Sequence, residues 1–339
     1  MQGLCGTVQL FSAADMPFGT DNGGARSWAF DAAAATAYWV GFNNYVVRAY
    51  PFNGGAAKVI WQPAAAATAG TESIAVTGGA VYWSVGAIGA APPTVFRKAA
   101  GDAPDVAPTA AFNPVARAAF LRVQGDSFYW TTGDYQDPTA PATGLVYKRL
   151  LTADASDAGT AIVTVDQGNF AGFIAFQTSS NALYWISSNG AGGGTPYEVR
   201  STPLAGGTPA AVPAIAGASS TAVAAYGGVA PTLLAVDATL YFTRVLAPSA
   251  LNGIYRYTAG DAAPTQLVAA DGVTSFVVDA TSIYYLQQNA QRVFKAPLAG
   301  GSGVAIVDAG GYRLVGQDAK FLYLLQSGSG SSTLAKVIK

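Results

Sequence analysis

Seven times along the chain a tyrosine is followed by a second large apolar residue, and a basic residue follows each pair within twenty positions. The intervals between pairs are 44, 47, 55, 57, 43 and 39 residues. The pairs are Tyr38-Trp39, Tyr82-Trp83, Tyr129-Trp130, Tyr184-Trp185, Tyr241-Phe242, Tyr284-Tyr285 and Tyr323-Leu324. Each pair lies in a short apolar run bounded by Gly, Asp, Ser or Asn, which is typical of β-strands joined by turns.

A repeat of this length, built from strand-like segments, is the sequence signature of a β-propeller with one blade per repeat. The sequence therefore predicts an all-β fold, a seven-bladed β-propeller of four-stranded antiparallel blades. Length alone would favour two domains, because most domains hold about 100–200 residues. The repeat takes precedence, so residues 1–339 are predicted to form a single domain.

The aromatic pairs are predicted to fill the spaces between blades. Adjacent residues on a strand point to opposite faces of the sheet, so the tyrosine and its neighbour should contact different blades. The basic residue of the next strand is expected to lay its stem over apolar surface and to reach water or a turn aspartate with its charged head. Both features are interpreted as structural, not as a ligand cage.

The two ends of the chain are predicted to meet in one blade. The seventh repeat stops at Lys339 after its third strand, and residues 6–12 form an unassigned strand ahead of the first repeat. We expect residues 6–12 to supply the outer strand of blade seven. This closes the ring and covers a sheet edge that would otherwise be open.

The combination of Tyr-Trp, an apolar-basic strand and a Leu-x-Gly-Gly turn, as in Leu204–Gly207 and Leu298–Gly301, resembles the repeat of YWTD-type and related bacterial seven-bladed propellers. The resemblance runs across the whole chain and implies the propeller fold. Only Tyr129-Trp130-Thr131 extends to threonine, and no repeat has the aspartate that follows in that family. The resemblance therefore implies no receptor or ligand, because fold does not determine function.

Composition argues against several classes of function. Charged residues make up only 11% of the chain and the net charge is −1, with no basic stripe of the kind that binds nucleic acid. No apolar run reaches the roughly 18 residues of a membrane helix. The chain has no histidine, which removes the usual general base and the commonest transition-metal ligand. These features favour a protein without catalytic activity or a cofactor.

Cys5 is the only cysteine, so an intrachain disulfide is excluded. It is either an incidental residue or a lipid-attachment or intermolecular cysteine near the start of a mature exported chain. Met1 is not followed by the charged and apolar segments of a signal peptide. The Ala-, Gly-, Thr- and Ser-rich composition favours an exported bacterial protein at an extracellular, periplasmic or cell-surface location.

Long connections are predicted between second and third strands and between each fourth strand and the next blade, and both sets should emerge on one face. Long loops on a rigid scaffold are where binding residues concentrate, so this long-loop face is predicted to carry the site. Examples of the first set are 84–94, 131–144, 186–196 and 243–252, and examples of the second are 12–26, 62–72, 112–119 and 214–231.

The binding candidates on that face fall into two groups. One loop combines the carboxylates Asp134 and Asp137 with Tyr135, which suits contact with a carbohydrate or a peptide. Several fourth strands end in acidic turns, whose oxygens could hold Ca²⁺ or could simply organise their own turns. The candidates in these turns are Asp166, Asn169, Asp271 and Asp308.

The favoured interpretation is a non-enzymatic binding or scaffold module, exported or surface-associated, that contacts a protein or glycan through the long-loop face. One alternative is a structural subunit of an extracellular assembly. The other is a carboxylate-dependent hydrolase or lyase at the channel mouth. No residue is assigned a catalytic role or a defined metal-binding role.

Overall fold

The computed structural model describes residues 8–11, 27–31, 33–40, 46–52, 56–62, 71–86, 92–103, 105–114, 118–131, 145–164, 176–178, 182–188, 197–212, 233–244, 249–328 and 331–339. Its strands form seven four-stranded antiparallel sheets. Two compact units can be distinguished along the chain, and each is described separately.

One unit comprises residues 18–173 and 202–209 and holds three sheets. In each sheet the four strands follow one another in chain order. The strands are β2 (Ser27–Asp31), β3 (Thr36–Val40), β4 (Val47–Pro51) and β5 (Lys58–Trp61); β6 (Thr71–Thr77), β7 (Ala80–Val85), β8 (Thr94–Ala99) and β9 (Thr109–Phe112); and β10 (Ala119–Gln124), β11 (Ser127–Thr131), β12 (Leu145–Leu150) and β13 (Thr160–Thr164).

The other unit comprises residues 1–17, 174–201 and 210–339. It contains a short 3-10 helix, η1 (Ser249–Leu251). The strands are β14 (Phe176–Thr178), β15 (Ala182–Ser188), β16 (Tyr197–Pro203) and β17 (Ala210–Ala211); β18 (Leu233–Val236), β19 (Thr239–Arg244), β20 (Gly253–Thr258) and β21 (Thr265–Ala269); β22 (Val273–Val278), β23 (Ser282–Gln287), β24 (Arg292–Pro297) and β25 (Val304–Asp308); and β26 (Tyr312–Gln317), β27 (Phe321–Gly328), β28 (Ser331–Ile338) and β1 (Val8–Phe11).

The last of these sheets takes its outer strand from the start of the chain. Strand β1 pairs with β28 in antiparallel register, with Gln9 opposite Ala335, and the strand order is β1-β28-β27-β26. The strand lies within residues 6–12, the segment that the sequence assigns to this edge. The backbone groups of β28 on that side are therefore paired instead of open.

Neighbouring sheets are blades of a β-propeller that are joined by the aromatic pairs. Each hydrophobic core holds the tyrosine of one sheet together with the second residue of the next. Tyr38 shares a core with Trp83, and Tyr284 shares one with Leu324. The same combination recurs for Tyr184 with Phe242 and for Tyr241 with Tyr285. This confirms that the two residues of a pair contact different blades.

Two basic residues of the third strands lie over tyrosines of the aromatic pairs. Lys148 is the cross-strand partner of Tyr129, and its Nζ lies 5.6 Å from the ring centroid. Lys295 occupies the same position over Tyr284 at 5.3 Å. The sequence predicted that the charged head would reach water or a turn aspartate, and it did not predict this contact with a tyrosine ring. The contact arises because directly opposed side chains meet across the two strands and the ring face attracts a cation.

Serine hydroxyls join the innermost strands of neighbouring blades. Ser73 Oγ accepts the backbone N–H of Leu121 at 2.7 Å, and Ser275 Oγ accepts that of Leu314 at 3.3 Å. Both serines follow a register shift in the first strand of their sheet. The irregular pairing leaves each hydroxyl directed at the next blade, where it satisfies a buried donor.

Arg149 fixes the connection between β12 and β13. Its buried guanidinium lies 4.3 Å from the ring centroid of Phe112, and burial lowers its pKa. It donates hydrogen bonds to four backbone carbonyls, those of residues 150, 153, 154 and 157. One cation thus supplies the donors that this turn-rich segment lacks.

Within the described part of the chain, no helix has the length and apolar character needed to cross a membrane.

Candidate functional site

The structure describes two of the seven predicted binding residues, Asp271 and Asp308. The other five, Asp134, Tyr135, Asp137, Asp166 and Asn169, lie outside the described residues. Both described aspartates lie at the long-loop end of their sheets, where second-to-third connections and fourth-to-first connections emerge together.

Four segments at that end are hydrogen-bonded one to the next and form a surface that we call the loop ridge. They are residues 249–252, 270–272, 287–292 and 308–311. The segments come from three consecutive blades, built on β18–β21, β22–β25 and β26–β28. Antiparallel pairing places them together because every second turn of a meander returns to the same end of the sheet.

The first segment of the loop ridge is held in place by side-chain hydrogen bonds. Asn252 Nδ2 donates to Asp271 Oδ1 at 2.7 Å, and Tyr255 Oη donates to the carbonyl of Leu251 at 2.7 Å. Gln266 Nε2 donates to the carbonyl of Asn252 at 3.0 Å. These hydrogen bonds hold η1 and the residue after it in place. Leu251 is 44% exposed, which is high for a leucine.

The second and third segments are hydrogen-bonded to each other. The N–H of Gln288 donates to the carbonyl of Gly272 at 2.9 Å, which ties the hairpin between β23 and β24 to the loop that carries Asp271. On the other side of this hairpin, Ala309 donates its N–H to the carbonyl of Gln291 at 2.8 Å. The hairpin thus joins the loops of the blades on either side.

Asp308 is paired within its own sheet. Arg292 is its cross-strand partner, and Arg292 Nε lies 2.8 Å from Asp308 Oδ1. The two side chains are 48% and 67% exposed, so the pair adds at most about 1 kcal/mol to stability. Its effect on recognition is to neutralise the carboxylate of Asp308, whereas Asp271 keeps its charge because its partner Asn252 is neutral.

The two predicted binding residues that the structure describes therefore each have a partner. Asp271 is paired with Asn252, and Asp308 is paired with Arg292. Among the described residues, no group of three or more His, Cys, Asp or Glu side chains gathers to hold a metal ion. The hypothesis that the acidic turns bind Ca²⁺ also involves Asp166 and Asn169, and it stays a prediction.

Sequence reasoning missed the hairpin between β23 and β24, although a signal for it was present. Residues 287–292 read Gln-Gln-Asn-Ala-Gln-Arg, the densest polar run in the last four repeats. Residues 288–292 of this run are all exposed. Amide side chains both donate and accept hydrogen bonds, so such a tip can bind peptide groups or sugar hydroxyls.

No protein family matches the sequence, and no curated protein is similar to it in sequence. The fold is similar to solved structures at low identity. YCF48 bound to D1 peptide has a TM-score of 0.63 at 11% identity, and the match covers 100% of this chain and 98% of that one. Virginiamycin B lyase from Staphylococcus aureus has a TM-score of 0.59 at 9% identity, with coverage of 95% and 98%.

A prolyl endopeptidase structure has a TM-score of 0.60 at 16% identity, and the match covers 88% of this chain but 45% of that one. At such identities the similarity shows the β-propeller fold alone. One of these proteins is bound to a peptide and two are enzymes by name. The fold therefore admits both classes, and the function of this chain has to be argued from its own residues.

Proposed function

We propose that the chain is a single-domain, seven-bladed β-propeller, closed by β1, that acts as a non-enzymatic binding or scaffold module. Its partner is a protein or a glycan, and the contact is made through the long-loop face. An exported or surface-associated location, outside the cell or in the periplasm, accords with the low charge and the Ala-, Gly- and Ser-rich composition.

The observation that carries this proposal is the preorganisation of the loop ridge. The hydrogen bonds of Asn252, Tyr255 and Gln266 fix one segment, and backbone hydrogen bonds join it through the hairpin to the next blade. Ordering flexible loops on binding costs about 0.5–1.5 kcal/mol per immobilised side chain. A surface whose loops are already ordered avoids much of this cost.

The exposed chemistry of the loop ridge suits a hydrogen-bonding partner. The hairpin tip offers amides, and Leu251 on η1 adds an apolar contact. Arg292 and Asp308 cancel each other's charge. Peptide backbones and sugar hydroxyls both match this mixture of donors and acceptors.

The proposal is tested by placing a bulky cation at the hairpin tip. Ala290 is exposed between Asn289 and Gln291, so Ala290→Arg alters the ridge while the hydrogen bonds of the backbone are kept. Ala262 is an equally exposed alanine in the turn between β20 and β21, at the opposite end of a neighbouring sheet. Ala262→Arg is therefore the matched control.

The probes are a glycan array and a displayed peptide library, each read with the full-length chain. Ligands selected by the unmodified protein should lose at least about tenfold in affinity with Ala290→Arg, because a clash or a desolvated charge at an interface costs more than about 1.4 kcal/mol. Ala262→Arg should leave the affinity unchanged. Equal loss in both variants, or no loss in either, would contradict a site on the loop ridge.

A further inference from the structure

Asp271 is the one charged residue of the loop ridge that takes part in no ion pair in the described part of the chain. The other two, Arg292 and Asp308, pair with each other. Asp271 is exposed, and its Oδ1 accepts a hydrogen bond from the neutral side chain of Asn252. Its Oδ2 accepts no hydrogen bond from a described residue, so a negative charge faces solvent at this point of the ridge.

A close approach of two strands holds Leu251 next to this carboxylate. Gly253 has a φ of +144°, and a Cβ added there would overlap the backbone of β21, so only glycine permits the approach. The N–H of Ala270 then donates to the carbonyl of Asn252 at 3.2 Å. This hydrogen bond and the one from the Asn252 side chain keep residues 251–252 against the turn that carries Asp271.

The hairpin between β23 and β24 places the amide of Asn289 against the same turn. A Cβ added at Gly272 would lie 3.1 Å from Nδ2 and 3.3 Å from Cγ of Asn289, so the amide packs on the glycine that follows Asp271. The N–H of Gln288 fixes the hairpin there through the carbonyl of Gly272. The Asn289 side chain makes no hydrogen bond with a described residue, so its donors and its acceptor are available to a ligand.

Three different groups therefore surround one short turn: the apolar side chain of Leu251, the carboxylate of Asp271 and the amide of Asn289. All three residues are exposed. A basic residue, Arg244, ends β19 on the same side of the sheet, but its guanidinium lies 5.3 Å from the ring centroid of Tyr255 and forms no described ion pair with Asp271. The counter-charge for the carboxylate is therefore left to a partner.

A basic side chain of a peptide satisfies all three groups. Its cation pairs with the carboxylate of Asp271 in a charge-assisted hydrogen bond, which is stronger than a neutral one. Its aliphatic stem covers Leu251, and the adjoining peptide groups exchange hydrogen bonds with Asn289. A neutral glycan matches the turn less well, because covering a carboxylate without supplying a counter-charge costs desolvation free energy.

We propose that the loop ridge binds a peptide segment of a partner protein through a lysine or arginine of that segment, which pairs with Asp271 beside Leu251 and Asn289. This choice of partner rests on the proposed function, because it uses the same ridge. It narrows the partner from a protein or a glycan to a basic peptide segment. Binding should weaken with rising salt, which screens the exposed ion pair.

The test is a double-mutant cycle read by fluorescence anisotropy at low salt. The probe is the tightest peptide from the displayed library, labelled with fluorescein, together with analogues in which each basic residue in turn is glutamine. Asp271→Asn keeps an acceptor for Asn252 and removes the charge, so affinity should fall about fivefold, as for an ion pair of about 1 kcal/mol. One analogue should show the same loss with the unmodified protein and no further loss with Asp271→Asn.

Asp261→Asn is the matched control. Asp261 is an exposed aspartate in the turn between β20 and β21, at the opposite end of the sheet, and it accepts the N–H of Thr258 at 2.9 Å. Its substitution should change the affinity less than about twofold. Thermal melting shows whether each variant is folded. If Asp271→Asn melts early, the glutamine analogues with the unmodified protein decide the test.

A tightest peptide without lysine or arginine would overturn the proposal, and so would selection of neutral glycans with no peptide. Unchanged affinity in Asp271→Asn, or losses that add up in the cycle, would also overturn it, because the basic residue would then act elsewhere. These results leave the loop ridge standing as a binding surface as long as Ala290→Arg weakens binding. An Ala290→Arg variant that binds normally would instead refute the ridge itself.

Discussion

The packing of Trp130 against Gly159 provides a sharp test of how the aromatic pairs are used. Gly159 directly precedes β13, and a Cβ added there would lie 2.3 Å from Cη2 and 2.8 Å from Cζ2 of Trp130. The indole is fully buried in a core that also contains Phe112 and Phe128. The ring therefore cannot move aside without disturbing two blades, and Gly159→Ala should be strongly destabilising.

The magnitude can be separated into two parts with a second glycine. Gly159 has a φ of +85°, and Gly260, in the corresponding turn between β20 and β21, has a φ of +101° with nothing within 4 Å of an added Cβ. Both substitutions carry the backbone strain of an alanine at positive φ, about 1–2 kcal/mol. Only Gly159→Ala also overpacks the core, which costs about 1–3 kcal/mol more.

Urea denaturation followed by far-UV circular dichroism measures the difference between the two variants. We expect Gly159→Ala to unfold at clearly lower urea than Gly260→Ala, with a difference in free energy of unfolding of about 1–3 kcal/mol. Equal midpoints for the two variants would refute the reasoning, because they would show that the indole of Trp130 does not occupy the space over Gly159.

Three further predictions concern single buried groups. Ser73→Ala should cost about 1–3 kcal/mol, because it leaves the buried N–H of Leu121 without an acceptor. Ser84→Ala removes a buried hydroxyl that has no hydrogen-bond partner among the described residues, and it should be nearly neutral in thermal melting. Asp279→Asn should lower the free energy of unfolding by about 2 kcal/mol at pH 7, because the folded pKa of about 2 lies below the unfolded value of about 3.9. In denaturation experiments at different pH, the difference in free energy of unfolding from the unmodified protein should shrink as pH falls below about 4 and vanish near pH 2. Arg149→Met should lower the free energy of unfolding by about 3 kcal/mol, and Lys148→Met, one residue away and half-buried, by less than about 1 kcal/mol.

The strands and the spaces between blades could be predicted from sequence because their pattern is periodic. A tyrosine followed by a large apolar residue is enough to place one side chain on each face of a strand, and Tyr38 with Trp83 shows the result. The partner of the third-strand base was not predicted. Whether Lys148 meets a tyrosine ring or a turn aspartate depends on cross-strand register, which hairpin geometry sets.

The same reason limited the prediction of the site. Asp271 and Asp308 were both identified from acidic turns. Sequence alone did not indicate that Asn252 would donate a hydrogen bond to the first carboxylate and that Arg292 would form an ion pair with the second. These partners come from other strands and loops, 19 and 16 residues away along the chain.

Fluorine NMR of the protein labelled with 5-fluorotryptophan tests most directly the claim that the aromatic pairs join blades and that recognition is left to the loops. Four of the six tryptophans, Trp39, Trp83, Trp130 and Trp185, are at most 1% exposed. Their four resonances should show no shift between H₂O and D₂O and should not move when a ligand selected on the glycan array or peptide library is added. A solvent shift in these resonances would contradict the account. It would also be contradicted if these resonances responded to the ligand while Ala290→Arg left the ligand affinity unchanged.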